Sequence, residues 1–71
     1  MVWLMHGVDK WHLDCDPTGG KHNCIASVMR ANVKFELEIW SDEGKTLRKD
    51  FNSVANLNEY LRTVGLEELQ I

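Results

Sequence analysis

Two histidines and two cysteines in the N-terminal third are the residues best suited by type to hold a metal ion: His12, Cys15, His22 and Cys24. Structural zinc takes four Cys or His ligands in a tetrahedral arrangement, so their number is right. Their spacing is atypical, because such sites usually contain two close ligand pairs on tight turns, whereas His22 and Cys24 would point the same way from a strand. We expect no metal and no cofactor, and keep a metal- or thiol-dependent site at these four residues as the alternative.

The two cysteines also have an interpretation as a disulfide. Cys15 and Cys24 bracket residues 16–23, whose Pro, Gly and Asn content predicts a loop. If the flanking strands pair, the cysteines lie almost opposite each other, as a disulfide requires. The first residues, MVWLMHG, have neither the basic start nor the cleavage site of a secretion signal. We therefore predict a cytoplasmic protein with two reduced, buried thiols, and a disulfide as the next interpretation.

Motifs for phosphate binding and catalysis are incomplete. A phosphate-binding loop at Gly19–Lys21 would need Gly in place of Cys15, and Ser or Thr in place of His22. Asp14 shares a predicted strand face with His12, but an acid and a histidine two apart on a strand usually form only a solvated face. A domain of 71 residues also has little room for a pocket of enzymatic size. We expect no enzyme activity.

Aromatic placement is a better guide to function. Trp40 falls on the outward face of its predicted strand, beside charged residues. Trp and Arg are over-represented among the residues that dominate binding energies, and Arg48 lies diagonally nearby. The alternative is that Trp40 packs on a neighbouring side chain or covers the sheet edge. The predicted partner-binding residues are Trp40, Glu38 and Arg48.

A hairpin predicted between Val33 and Phe51 positions these three residues. Apolar residues alternate with polar ones from Val33 to Ile39, which is typical of a half-buried strand. A three-residue turn over 42–44, with Gly44 in the left-handed position, connects it to the next strand. Counting outward from this turn predicts four favourable cross-strand pairs: Ile39 with Leu47 and Phe35 with Phe51 on the inner face, Glu38 with Arg48 and Trp40 with Thr46 on the outer face. The same count gives two less favourable pairs, Leu37 with Lys49 and Glu36 with Asp50.

A helix is predicted over residues 53–64. Ser53 is a suitable N-cap, and Gly65 stands where a helix favours a left-handed residue, so that Leu66 can fold back on Leu61. The segment that follows, 67–71, is either a frayed turn or a short docking tail. The apolar stripe of the helix recurs at three- and four-residue spacing and consists of Val54, Leu57, Leu61 and Val64.

The first 32 residues are less regular. The sequence predicts an edge strand at residues 2–5 and a second strand at residues 11–16. Residues 24–31 fit either a helix capped by Asn23 or a strand returning from the loop. We favour the strand, because it can pair with 11–15 and leads into the strand at 33–40. Trp3 and Trp11 share strand parity and are assigned to the core.

Together these elements predict one α+β domain spanning residues 1–71. An antiparallel sheet of three to five strands carries one C-terminal helix on its apolar face, and the other face is partly open. The helix stripe is expected to cover Phe35, Ile39, Leu47 and Phe51. Hydrophobic residues make up 44% of the chain and charged residues 27%, which excludes a disordered tail. No apolar run approaches the roughly 18 residues that cross a bilayer.

The charge distribution argues against a nucleic-acid partner. The net charge is −3, and residues 33–71 supply all of it, because residues 1–32 hold three acids and three bases. Modules that bind duplexes usually carry a clustered basic face. An acidic protein is instead suited to approach a basic surface on another protein.

We therefore expect a small non-catalytic protein-binding module that modulates or inhibits a larger complex. In size and in strand–hairpin–helix order the chain is similar to small phage and mobile-element proteins that inhibit host factors, anti-CRISPR proteins among them. This resemblance concerns size and architecture only and involves no motif. A homodimer through an edge strand is a further hypothesis.

Overall fold

A computed structural model describes residues 1–14, 24–40 and 44–71. Within these ranges, five strands form an antiparallel meander in which each strand pairs with its neighbours along the chain. One helix follows the last strand and packs against β4 and β5. The predicted α+β architecture is confirmed. The elements are β1 (Val2–Met5), β2 (Lys10–Asp14), β3 (Cys24–Ala31), β4 (Lys34–Trp40), β5 (Thr46–Phe51) and α1 (Val54–Thr63).

The register of the β4–β5 hairpin is confirmed at all six predicted pairs, from Phe35 opposite Phe51 to Trp40 opposite Thr46. Gly44 has φ of +79°, the left-handed conformation assigned to it, while turn residues 42 and 43 lie outside the described residues. The strand begins one residue later than predicted. Val33 is 76% exposed in a turn with Asn32, whose φ is +58°. Asn tolerates this conformation better than most residues, which explains the turn.

The N-terminal half is a second antiparallel unit. Residues 24–31 form a strand, which confirms the strand prediction over the helix. β3 pairs with β2 on one side and β4 on the other, so its backbone N–H and C=O groups have hydrogen-bond partners on both sides. A bulge lies at Leu13 and Asp14, because Leu13 is opposite Ala26 while Asp14 is opposite Cys24. The end of the second predicted strand, residues 15 and 16, lies outside the described residues.

The core lies between the inner face of the sheet and the helix. Leu13 and Leu37 on the strands and Leu57 and Leu61 on the helix are almost completely buried. Trp11 is 5% exposed and Trp3 packs against the same cluster, as predicted. The apolar stripe of α1 therefore packs against the inward-facing side chains, which are every second residue of each strand, as a two-layer fold requires.

Both ends of α1 have the predicted caps. The Ser53 hydroxyl oxygen accepts a hydrogen bond from the Asn56 backbone N–H at 3.1 Å. Gly65 has φ of +78°, and the N–H of Leu66 donates to the carbonyl of Leu61 at 2.8 Å. This is the hydrogen-bond pattern of a Schellman stop, which satisfies carbonyls at the helix end.

Two residues assigned to the buried face are exposed. Leu47 is 43% exposed because it lies on an edge strand, near the turn, with a neighbouring strand on one side only. Val64 is also 43% exposed because it is the C-cap, where the chain leaves the helical path. Our prediction that the helix covers Leu47 is therefore wrong, and the helix stripe ends at Leu61.

The segment after the helix is a docking tail and not a frayed turn. Leu69 is 2% exposed and belongs to the core cluster. The Asn58 side chain on α1 donates to the Leu69 carbonyl at 3.0 Å and accepts from the Leu69 N–H at 2.7 Å. The Trp3 indole N–H donates to the Glu67 carbonyl at 2.7 Å. The tail thus links the helix to β1. None of the described segments forms a helix long and apolar enough to cross a membrane.

Candidate functional site

The open face of the sheet is the candidate site. Alternation along the strands directs one set of side chains to the helix and tail and the other set away from them. We call this second set the outer face. It contains an open groove of about 410 Å³. Two rows of side chains cross the outer face from β2 to β5. The first row is His12, Ser27, Glu38 and Arg48, and the second row is Lys10, Met29, Glu36 and Asp50. Trp40 follows Glu38 along β4, on the side of the first row that faces away from the second.

Glu38 and Arg48 form the predicted ion pair in the first row. Arg48 Nε lies 3.0 Å from Glu38 Oε1, and the arginine side chain is 79% exposed. An exposed pair of this kind contributes only about 0.2–1 kcal/mol to folding, so stability alone is a weak reason for it. Among the described residues the guanidinium has no other partner, so its terminal N–H groups remain available for a second acceptor.

Trp40 is the last residue of β4, and it shares the parity of Glu38 on the outer face. It is 37% exposed opposite Thr46. A tryptophan that leaves more than a third of its surface in water at the end of a strand offers a flat apolar contact beside charged neighbours. The three predicted residues thus lie on one face, with Trp40 beside the Glu38–Arg48 pair.

Glu36 and Asp50 form an acidic pair that sequence reasoning did not assign to the site. They are directly opposite on β4 and β5, and both are exposed. Within the described part of the chain neither carboxylate has an ion-pair partner. Like charges directly opposite on a sheet are destabilising, so a cation from elsewhere would relieve a repulsion. The predicted register already places Glu36 opposite Asp50, and this juxtaposition of two carboxylates is the feature that could have identified the pair as part of a site.

His12 stacks on His6, which follows β1. The ring centroids are 4.4 Å apart and the planes differ by 17°. Partial burial lowers the pKa of His12, and the adjacent His6 and Lys10 lower this pKa further. The imidazole is therefore neutral at neutral pH and faces the groove as a hydrogen-bonding group rather than a cation.

Asp14 corrects one expectation. The sequence placed it on a solvated face with His12, but it is 3% exposed. It lies at the bulge, flanked by Val2 on β1 and Cys24 on β3, so neighbouring strands shield it on both sides.

The zinc and disulfide hypotheses remain predictions. Cys15 and His22 lie outside the described residues, as does the side chain of Cys24. His12 is described, and its ring is stacked on His6. Within the described ranges no group of three or more His, Cys, Asp or Glu side chains is arranged to hold a metal ion.

No protein-family model, curated protein or solved structure matches this chain. Function must therefore be inferred from the geometry and charge of the outer face.

Proposed function

We propose that this protein is a small, non-catalytic protein-binding module that acts in the cytoplasm and modulates or inhibits a larger complex. It docks through the outer face onto a basic surface of its partner. The observation that supports this is the exposed acidic pair Glu36 and Asp50, which lies beside the Glu38–Arg48 ion pair, with Trp40 on the far side of that ion pair. No element among the described residues covers this face of the sheet.

The character of the groove favours a macromolecule over a small ligand. Small-molecule pockets are mostly apolar and bury most of their ligand. This groove is open and has charged side chains along both rows. The two longer dimensions of the molecule are 34 and 26 Å, so one face offers an area similar to the ~800 Å² per partner of a standard protein interface.

The acidic pair at the β4–β5 end of the outer face favours a basic partner, while Lys10 lies at the β2 end of the same row. Glu36, Glu38 and Asp50 bring three carboxylates to β4 and β5, and Arg48 neutralises one of them. A lysine or arginine from the partner can lie between Glu36 and Asp50, while Trp40 supplies apolar contact at the side. Complementary fields of this kind accelerate encounter, and salt screens them.

The test is binding by matched variants. The wild-type protein is used to isolate its partner from the native host, and the affinity is then measured with Trp40→Ala and with Glu59→Lys as the control on the exposed face of α1. We expect Trp40→Ala to keep its circular dichroism spectrum but to weaken binding by about 2 kcal/mol or more, roughly 30-fold. Glu59→Lys should change affinity little.

Charge reversal provides a second measurement on the same complex. Glu36→Lys and Glu38→Lys should slow association, most strongly at low salt, because charges at an interface act mainly on encounter. Binding that survives Trp40→Ala and both charge reversals, but is lost on substitutions in residues 18–22, would contradict the proposal.

A further inference from the structure

The two edges of the sheet differ in how they are protected. β5 carries Arg48, Lys49 and Asp50, and charges on an edge strand discourage pairing with other chains. β1 has the sequence Val-Trp-Leu-Met without a charge. Leu4 is 41% exposed and Met5 is 69% exposed. The tail does not pair with this edge, since residues 66–71 form no strand. With respect to residues 1–14, 24–40 and 44–71, β1 is therefore an unprotected template for another strand.

The backbone groups that face outward from β1 follow from the hairpin geometry. The N–H of His6 donates to the carbonyl of Lys10 at 2.9 Å. Because hydrogen-bonded pairs alternate along an antiparallel ladder, Leu4 opposite His12 is also a hydrogen-bonded pair. The N–H and C=O groups of Trp3 and Met5 consequently point away from β2, where no described residue pairs with them.

We propose that β1 pairs with β1 of a second copy of this chain, antiparallel, about a two-fold axis through Leu4. This register places Trp3 of each copy opposite Met5 of the other, so both outward-facing residues exchange N–H and C=O groups across the axis. Four backbone hydrogen bonds form, and the result is a continuous ten-stranded sheet. The apolar residues remain on matching faces, because a shift by an even number of residues preserves side-chain parity.

The side chains at this edge are complementary to their own copy. Leu4 meets Leu4 of the second copy on the axis, where the non-hydrogen-bonded spacing brings side chains close. On the inner side Met5 lies beside Trp3 of the second copy. Met1 and Ile71, exposed by 50% and 58%, extend this apolar surface around the end of the strand.

Charge does not oppose a second copy at this edge in spite of the net charge of −3, because β1 itself is uncharged. Residues 1–32 carry three acids and three bases, and the excess acids belong to residues 33–71. β4 and β5 together carry three acids and three bases, so they bring no net charge to the joined sheet. In the tail beside β1, Glu68 is neutralised by Arg62 at 3.1 Å.

The size of the contact sets the expected affinity. A four-residue strand is only about 13 Å long, so the interface falls below the ~1,200 Å² of stable complexes. We expect a dimer that dissociates in the range of about 100 µM, and whose population rises with concentration.

The test is sedimentation equilibrium of the full chain from about 10 µM to about 1 mM, a range that brackets this dissociation constant. The mass should rise from 8.2 kDa towards twice that value. Leu4→Lys places two like charges on the axis, and Met5→Pro removes an outward N–H without removing a bond to β2. Each should lower the association constant at least tenfold with unchanged circular dichroism. Leu47→Lys is the matched control, because Leu47 is 43% exposed on the other edge, and it should leave association unchanged.

A monomer at every concentration, or association that survives both Leu4→Lys and Met5→Pro, would overturn the proposal. Loss of association in Leu47→Lys alone would assign the contact to β5 and overturn it equally. These outcomes are separable from the partner-binding proposal, because Leu4 and Met5 contribute nothing to the surface at Trp40.

Discussion

His12 shows how its surroundings set the chemistry of a single residue. In the sequence it was one candidate ligand among four, and in the structure it is a partly buried ring stacked on His6. The charged and titratable groups around it are His6 after β1, Lys10 on β2 and Glu38 beyond Ser27. Burial, then His6, then Lys10 lower its pKa.

The lowered pKa of His12 makes a prediction about pH. The folded state binds a proton less readily than the unfolded chain, so His12 contributes a loss of stability that begins as the pH falls through 6.5, its unfolded value. The loss is complete below the folded pKa, and no loss is present at pH 8. Urea denaturation between pH 8 and pH 5 at constant ionic strength measures the free energy of unfolding, and NMR titration of the ring protons measures the pKa directly.

His6→Ala provides the matched comparison. It removes the second-largest cause of the shift and uncovers the ring, so the pKa of His12 should move upward towards its usual value. Lys34→Gln, on the outer face of β4 but absent from the groove around His12, should leave this pKa unchanged. A pKa of His12 that His6→Ala does not raise would contradict this account.

The tail and α1 show how one side chain can join two elements. Asn58 uses both its amide donor and its carbonyl acceptor on the backbone of Leu69, in the way that an adjacent strand would. This places Leu69 in the core, next to Leu57 and Leu61. The tail therefore completes the inner layer over the β1 side, which the ten-residue helix does not cover.

Asn58→Ala should destabilise the protein by about 1–3 kcal/mol, because it leaves a part-buried N–H and C=O of Leu69 without partners. Amide hydrogen exchange at Leu69 should accelerate with it. Asn56→Ala is the control: Asn56 is exposed on the same helix, and its backbone rather than its side chain makes the cap. Equal stability of the two variants would mean that the tail is not held by Asn58.

At the scale of the whole molecule, one hydrophobic cluster contains residues of β2, β3, β4 and α1. Trp11, Ala26 and Leu37 from three strands meet Leu57 and Leu61 from α1. Chains of this size bury a modest fraction of their surface and are only marginally stable. The loss of one large core side chain is therefore comparable with the stability of the whole protein.

Leu57→Ala should cost about 2–5 kcal/mol, because Leu57 is fully buried and its removal leaves a cavity between sheet and helix. Val64→Ala, at the exposed C-cap of the same helix, should cost much less. Thermal unfolding followed by circular dichroism separates the two variants. A melting temperature of Leu57→Ala within a few degrees of wild type would show that this helix face does not form the core.

Local patterns determined the elements and the three predicted site residues. The turn at Gly44 and the period-two alternation between Val33 and Ile39 were sufficient for the register, because a slip by one residue would turn every apolar side chain to solvent. That register brings Glu38 to Arg48 and leaves Trp40 beside them. Ser53 and Gly65 were sufficient for the helix ends, because caps depend on backbone groups only a few residues away.

Only the tertiary structure decided which of these residues are covered. Leu47 and Val64 have the right parity or spacing for the core yet are exposed, while Asp14 is polar and buried. The bond from Trp3 to Glu67 joins residues 64 positions apart, and no local pattern encodes such a pair. Burial depends on which distant segments fill the space beside a side chain, and that is settled by the packing of the whole chain rather than by its neighbours in sequence.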